Sequence, residues 1–376
     1  MNILFVGMNV PDAIEYQVQN ISAAGNRFQN NIVGAFREVG HRVSVLSFLA
    51  VPFSDQFDLE LNRELDYKYI KRKRGIVGLL GSIFLFQKRL KEEISRCDFV
   101  ICYNCIYAWL CLPVLARKMK KKSVMILADY SDTCSYTSIA KKIYARMQKK
   151  SIRKYDLVVG LSEASKRLLR VNQKFLLMEG GITQNVFEEL QHPLRERRDG
   201  VVLAYSGLLN QVTGVDLFLE AMRKIVDDSS TPIKVLVSGK GEYEGHIGNM
   251  ADKYDWLEFK GHMPYSAYIK MIRDADILIN PRDMRLEENA NNFPSKILDY
   301  LATGNEIIST KFPGYARFVG CIHFTEVEEL ESTLRETIAF VNHQTRQERE
   351  HRYETNRYRA EQYLWDGQIK RILANI

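Results

Sequence analysis

The chain has 376 residues, more than one typical core organises and enough for two domains. With 46% hydrophobic and 26% charged residues, the composition excludes a disordered or fibrous chain. The net charge of +7 is not accompanied by a nucleic-acid-binding motif, so no nucleic acid is expected as a partner.

The chain opens directly with "MNILFVG", without a basic leader or a small-residue cleavage site. The first half then alternates short apolar runs with helical patterns. The strand candidates are "ILFVG", "RVSVLSF", "FVICY", "SVMILA", "DLVVGL" and "FLLME". Between them lie "RFQNNIVGAFREVG", "QKRLKEEIS", "YAWLCLPVLARKM", "IAKKIYARMQKKSIRK" and "SEASKRLLRV". Strands that are apolar throughout, separated by helices, predict a parallel sheet covered on both faces.

The longest apolar run, Ile76–Phe86, is far short of the roughly 20 residues that span a bilayer. The cysteines lie mostly in apolar runs. Cys102 and Cys105 form a CxxC with no second pair or nearby histidine, so they read as buried thiols, reduced in a cytoplasmic protein. Basic residues cluster at Lys68–Arg74, Ala116–Ser123 and Lys141–Lys154. Any one cluster reads as a solvated face. Together with apolar neighbours (Ile76–Phe86, Ile143, Met147, Ile152) they point to an anionic membrane surface and a peripheral location on the inner face of the plasma membrane.

Ile182–Gly200 is polar, charged and punctuated by Pro193 and Gly200, and reads as a linker. The alternation restarts with "VVLAYSG", "IKVLVSG", "LEFKG", "DILIN", "NEIIST" and "CIHF", and the chain ends in one long helical pattern over about His343–Ile376. The expectation is two doubly wound α/β domains, with ligands beyond the carboxyl ends of the strands, in a cleft between facing domains.

In "NNFPSKILDYLATG", Ser295 and Asp299 are four apart and Lys296 and Asp299 three apart, so they share a helical face. Pro294 suits a first helical position, and a lysine in the first turn of a helix attracts phosphate. Spacing alone favours a surface Lys–Asp pair on a capped helix. The context adds weight: Gly207, Gly239, Gly241, Gly261, and Pro281 with Arg282 all follow strand candidates, where glycines admit a ligand to the backbone. "DAD", Asp274–Asp276, precedes a strand instead of following one, so it is not read as a metal site.

In chain order, "AAGNRFQNNIVGAFREVGHRVSVLS", "LSEASKRLL", "EGGITQNVF", "YSGLLNQVTGVDLFLEAM", "VSGKGEYEGHI", "FKGHMPYSAYIKMIRDADILINPR", "FPSKILDYLATGNEIIST" and "YLWDGQIKRIL" resemble retaining glycosyltransferases of the GT-B fold, family 4. The pairing of "NPR" with "FPSK" is similar to a bacterial surface-polysaccharide branch. The resemblance implies two Rossmann-like domains facing across a cleft: an acceptor-side domain, 1–190, completed by a C-terminal helix at about 358–376, and a nucleotide-sugar domain, 200–345. It implies a metal-independent hexosyltransferase without cofactor, whose donor is a UDP- or GDP-linked sugar. The implied acceptor is a glycan or lipid-linked saccharide.

Charge bookkeeping singles out Arg282 and Lys296 for catalysis. The resemblance adds Asp129 to them, and gives Gly25 and Asn26 to the loop near diphosphate and acceptor. Gly207, Gly241, His262, Asn291, Phe293, Pro294, Ser295 and Asp299 fall to the donor. The family's usual Arg and Lys fall on Leu208 and Thr213, and its paired glutamates on Asn291 and Asp299. Arg282 and Lys296 are therefore expected to supply the charge for the departing diphosphate. "LADYSDTCSY" offers Asp129 and Asp132 to acceptor or sugar, and both equally suit a turn. Against this stand a degenerate, non-catalytic relative that binds nucleotide sugar, and a sugar-nucleotide 2-epimerase of the same fold.

Overall fold

The computed structural model describes residues 1–11, 23–49, 66–128, 138–194, 199–286, 289 and 293–376. In chain order the elements are β1 (Asn2–Gly7), α1 (Ala23–Glu38), β2 (Arg42–Leu49), β3 (Tyr67–Lys71), α2 (Gly75–Arg96), β4 (Phe99–Tyr103), α3 (Leu112–Lys118), β5 (Lys122–Leu127), α4 (Ile139–Ile152), β6 (Leu157–Gly160) and β7 (Lys174–Leu177). There follow α5 (Gln184–Glu189), β8 (Val201–Leu208), α6 (Val215–Asp228), β9 (Ile233–Lys240), α7 (Glu244–Lys253), β10 (Leu257–Phe259), α8 (Tyr265–Asp274) and β11 (Ile277–Asn280). The chain closes with α9 (Lys296–Thr303), β12 (Glu306–Thr310), β13 (His323–Thr325), α10 (Leu330–His343), α11 (Arg346–Glu361) and α12 (Trp365–Asn375).

Two compact units result: Met1–Gly181 with Trp365–Ile376, and Ile182–Leu364. Among the described residues the first unit holds a seven-stranded parallel sheet, ordered β3-β2-β1-β4-β5-β6-β7. One face carries Phe48, Phe86, Leu90, Trp109 and Tyr155, and the other Phe5, Phe36, Ile126 and Trp365, all essentially inaccessible. Each such side chain contributes about 1.5–3 kcal/mol on burial. That is why β4 and β5 are apolar at nearly every position, as a sheet covered on both faces requires.

The edge strand β3 overlaps the "KYIKRKR" cluster, which reads as a solvated face. Its five residues are all half-buried, and Lys68 pairs at 2.7 Å with the buried Glu93. An edge strand tolerates such charge because one flank meets water. The run Ile76–Phe86 proves to be the first half of a helix of 22 residues, α2. Among the described residues no helix is long and apolar enough to cross a membrane. Cys102 and Cys105 are buried free thiols, with Cys102 3.1 Å from the Tyr155 hydroxyl. Cys111 is exposed.

The terminal helical pattern is two helices, not one. α11 stops at Glu361, and α12 packs on α1 and β7 of the first unit. Trp365 seats edge-on to Phe28 at 5.4 Å, and its ring fills the space where Gly181 lacks a side chain. The stretch read as a linker begins with α5, capped by Thr183, whose Oγ1 accepts from Val186 N at 3.3 Å; Ile182 and Leu190 are buried in the second unit.

Among the described residues the second unit holds a six-stranded parallel sheet, ordered β10-β9-β8-β11-β12-β13. Val201, Leu203 and Tyr205 of β8 face α6 and α10, while Ala204 faces the α8–α9 side, as strand periodicity dictates. The strand order reverses between β8 and β11. Open α/β sheets bind ligands beyond the carboxyl ends of the strands at such a reversal.

Candidate functional site

At this reversal point in the second unit, β8 ends in Gly207 and β11 runs into Pro281 and Arg282. Gly207 has φ +156°, and a Cβ placed there would lie 2.8 Å from Lys296 Nζ. The glycine leaves room for the lysine. Gly214, at the start of α6 with φ +67°, serves closeness in another way: a Cβ there would sit 1.9 Å from the Pro281 carbonyl oxygen. The β8–α6 turn is thereby pressed against the backbone that carries Arg282. Thr310 Oγ1 donates to the Arg282 carbonyl at 2.8 Å and fixes the same backbone from β12.

Lys296 opens α9. Its Nζ stands 4.4 Å from the centroid of the Tyr205 ring, a cation–π distance. Tyr205 is fully buried and donates its hydroxyl to the Leu208 carbonyl at 2.7 Å. Thr213 Oγ1 donates to the same carbonyl at 2.7 Å. Burial, and next the neighbouring Arg282 guanidinium, push the Lys296 ammonium down to about 7. Burial also presses Arg282 below the usual guanidinium range. The Tyr205 phenol is pushed up to about 12, mainly by burial. Among the described residues neither Lys296 nor Arg282 has a carboxylate partner within ion-pair distance. Two partly buried cations side by side, with no carboxylate against them among the described residues, are costly, and an anion placed between them relieves that cost.

Of the residues singled out from sequence, the structure brings Lys296, Arg282 and Gly207 together. The others have varied placements. Gly241 lies at the end of β9, where a Cβ would meet the Leu209 carbonyl oxygen at 2.3 Å. Exposed His262 follows Gly261, whose carbonyl accepts from Gly239 N at 2.9 Å, so it stands on the same rim of the sheet. Asp299 accepts from the Tyr268 hydroxyl at 3.0 Å, which draws this carboxylate toward α8. Exposed Ser295 precedes α9 and makes no side-chain cap bond, and buried Pro294 accepts from Ile297 N at 2.9 Å. The helix thus starts two residues later than a first-position proline implies. The Phe293 side chain is taken up by core packing, 5.4 Å from the Phe312 ring and 5.8 Å from that of Phe318.

In the first unit, Gly25 and Asn26 lie in the first turn of α1. Asn26 is buried, and its Oδ1 accepts from Val10 N at 2.8 Å, so that acceptor is used in holding the β1–α1 connection. Gln29 joins it, accepting from Met8 N at 3.0 Å and donating to the Gly25 carbonyl at 3.0 Å. Asp129, Asp132 and Asn291 lie outside the described residues. Asp276 of "DAD" accepts from Val202 N at 2.7 Å, at the amino end of β8 and away from the glycine rim. Among the described residues no three His, Cys, Asp or Glu side chains gather as a metal-ligand set.

Sequence reasoning did not single out Tyr205. Its signal is an aromatic two residues before the strand-end glycine, in "AYSG", on the face toward α6.

Residues 186–356 match the family model described as glycosyl transferases group 1. The second unit therefore carries a group 1 glycosyltransferase domain. No curated protein sequence matches the chain. Among solved structures, Anabaena HepE in complex with UDP is 13% identical with a TM-score of 0.70, covering 100% of both chains. The same protein is also solved with UDP-glucose, at a TM-score of 0.68. A glycosyltransferase from Rickettsia africae is 14% identical with a TM-score of 0.70, over 99% of this chain and 97% of that one. Sucrose-phosphate synthase from Thermosynechococcus elongatus is 13% identical with a TM-score of 0.68, over 99% of this chain and 98% of that one. These likenesses identify the fold as GT-B.

Proposed function

We propose that this glycosyltransferase is a family 4 enzyme of the bacterial surface-polysaccharide branch marked by "NPR" and "FPSK". It moves a hexose from a UDP- or GDP-linked donor to a glycan, one carried on lipid, with retention at the anomeric carbon and without a metal. One observation carries the reading: Lys296 and Arg282 share a recess beside Gly207 with no carboxylate against them among the described residues. UDP and UDP-glucose in complexes of a GT-B relative favour uridine as the base.

The chemistry follows from charge. When the glycosidic bond to the diphosphate breaks, negative charge grows on the leaving oxygen. Preorganised cations that face it lower the barrier, each by about 10²–10³-fold in rate. Leu208 and Thr213 cannot do this: the leucine is neutral and the threonine hydroxyl already donates to a carbonyl. Lys296 and Arg282 take that role. The acceptor hydroxyl attacks the face the nucleotide leaves, and its proton passes to the departing phosphate oxygen. Asp299 accepts from ribose hydroxyls, and the backbone beside His262 meets the base. Gly241 and Gly25 let backbone approach the diphosphate. Asp129 orients sugar or acceptor. A cytoplasmic enzyme held at the inner leaflet would meet a lipid-linked acceptor there.

A second reading, a non-catalytic nucleotide-sugar-binding protein, is favoured by Leu208 and Thr213. A sugar-nucleotide 2-epimerase is the third. Incubation of the purified protein with UDP- and GDP-hexoses separates them. Slow release of nucleotide from one donor, unaffected by EDTA, is the expected result. Binding without release, even with acceptor present, selects the second reading. A changed sugar on intact nucleotide selects the third. Loss of activity in EDTA, restored by Mn²⁺, would overturn metal independence.

A further inference from the structure

The outward face of α2 is apolar where a solvated helix carries charge. Ile76, Val77, Leu80, Phe84 and Leu85 repeat at helical spacing and are exposed, Val77 at 85% and Phe84 at 75%. The opposite stripe, Ser82, Phe86, Leu90, Glu93 and Ile94, is the one buried against the sheet. The helix is therefore seated correctly, and its outer stripe is surplus to folding. α4 repeats the pattern: Ile139, Ile143 and Met147 are spaced four apart and exposed, Ile139 at 76%.

The two stripes belong to one surface of the first unit. Gln87 of α2 donates to the Ala108 carbonyl, and Gln148 of α4 donates to the Cys105 carbonyl. Ser151 of α4 donates to the Leu110 carbonyl at 2.8 Å. Both helices thus sit on the single connection between β4 and α3. Each also begins after the carboxyl end of a strand, so their exposed N-terminal halves share one rim of the unit.

Along the chain that carries these stripes the charges have one sign. From Tyr67 to Lys91, and from Ile139 to Tyr155, there is no acidic residue. Exposed Lys73, Arg74 and Lys88 bracket the α2 stripe, and exposed Lys142, Arg146 and Lys150 run beside the α4 stripe. A second copy of the chain would bring like charge against like. A bilayer with anionic headgroups satisfies both halves: apolar side chains enter the headgroup–acyl boundary and bases meet phosphates.

We propose that the N-terminal halves of α2 and α4 form a two-helix insertion surface for an anionic lipid bilayer. It makes the membrane partner of the proposed function specific, and lipid binding is measurable without any sugar chemistry, so either can fail without the other. Binding has two parts. Each basic residue near an anionic surface is worth about fivefold in affinity, and this part is screened by salt. The inserted side chains supply the part that salt does not remove.

The test uses the full chain and vesicles of phosphatidylethanolamine with about a third phosphatidylglycerol, against phosphatidylcholine alone. The expected result is at least tenfold preference for anionic vesicles, reduced but not abolished in 0.5 M NaCl. Leu80→Ser with Phe84→Ser, at exposed positions that leave thermal unfolding unchanged, lowers vesicle binding at least tenfold. Hydrogen exchange of the unaltered protein adds a readout without mutation: amides of 76–88 and 139–147 slow on adding anionic vesicles. Equal binding to both vesicle types, unchanged binding by the double variant, or no slowing of those amides overturns the proposal. A dimer of the unaltered chain that the double variant dissolves also overturns it, assigning the surface to a second copy.

Discussion

Lys296 Nζ rests 4.4 Å above the ring of Tyr205, while the hydroxyl of that tyrosine is turned to the Leu208 carbonyl at 2.7 Å. Ring and hydroxyl therefore do separate work. Tyr205→Phe keeps the ring, and Thr213 still serves the carbonyl, so UDP affinity should change by less than about threefold. Tyr205→Leu removes the ring face and should weaken UDP about tenfold, the scale of a partly desolvated cation–π contact. It should also destabilise the fold by about 2–3 kcal/mol through the cavity it leaves. Calorimetric titration and denaturant unfolding measure both.

The two cations are expected to act on the reaction more than on the fold. Lys296→Ala and Arg282→Ala should each lower turnover of the active donor by about 10²-fold or more. Both should retain, or slightly gain, stability, because each removes a partly buried charge that has no carboxylate against it among the described residues. Unchanged turnover in both variants would refute the assignment of the diphosphate to this recess.

The lysine also makes nucleotide binding depend on pH in a stated direction. Its folded-state value is lowered to about 7, so the amine is charged below that pH and neutral above it. A bound diphosphate restores the charged form. At pH 8, UDP binding should take up close to one proton through this residue, and below pH 6 almost none. UDP affinity should fall as pH rises from 6 to 8. The unfolded lysine keeps its proton to about pH 10.4, so this group adds to the stability of the free protein as pH rises from about 7 toward 10. Titration in buffers of different ionisation enthalpy reads the uptake. Lys296→Arg, which stays charged, should abolish it while leaving the nucleotide's own titration in place.

Asp299 makes a narrower prediction. If it accepts from ribose, Asp299→Ala should weaken UDP about tenfold or more and leave inorganic pyrophosphate unaffected, since only UDP carries the hydroxyls. Tyr268→Phe removes the hydroxyl that holds the carboxylate at 3.0 Å and should weaken UDP less, about threefold. Competition against a labelled nucleotide compares the four affinities. Equal losses for UDP and pyrophosphate would place Asp299 away from the ribose.

The position of the C-terminal helix rests on one close approach. A Cβ on Gly181 would lie 2.4 Å from the Trp365 ring, and that ring is buried against Phe28. Gly181→Ala should cost about 1–3 kcal/mol by overpacking, read as a lower midpoint in urea. Trp365→Leu in the same background should recover part of the loss.

Much of this was legible from periodicity. Strands such as "FVICY" and "ILIN" are apolar at almost every position because helices cover both faces, and no other pattern fits them so simply. The edge strand β3 was illegible for the opposite reason: with water on one flank it keeps Lys68, Tyr69 and Lys71 and resembles a charged loop. The break between α11 and α12 leaves no Pro or Gly; a turn at Gln362–Leu364 ends one helix where packing on α1 begins the next. Around the candidate site, glycines after strands marked the rim of the sheet, and Lys296 and Arg282 were singled out by charge. Tyr205 was hidden because an aromatic in a buried strand is ordinarily core. Asn26 gives its Oδ1 to a backbone N–H, because an amide near a glycine turn serves a backbone as readily as a ligand. Phe293 likewise went to packing with Phe312 and Phe318.

The entry and exit of the second unit lie side by side: Ile182 N donates to the Tyr363 carbonyl at 3.0 Å, and Ile182 bridges Leu364. Topologically, residues 182–364 are an insert spliced into a host whose cut ends are Gly181 and Trp365. An expression clone of 182–364 begins and ends on paired backbone and needs no new connection. The host requires a short joint from Gly181 to Trp365, and a fragment ending at Gly181 would lack a wall of its own core.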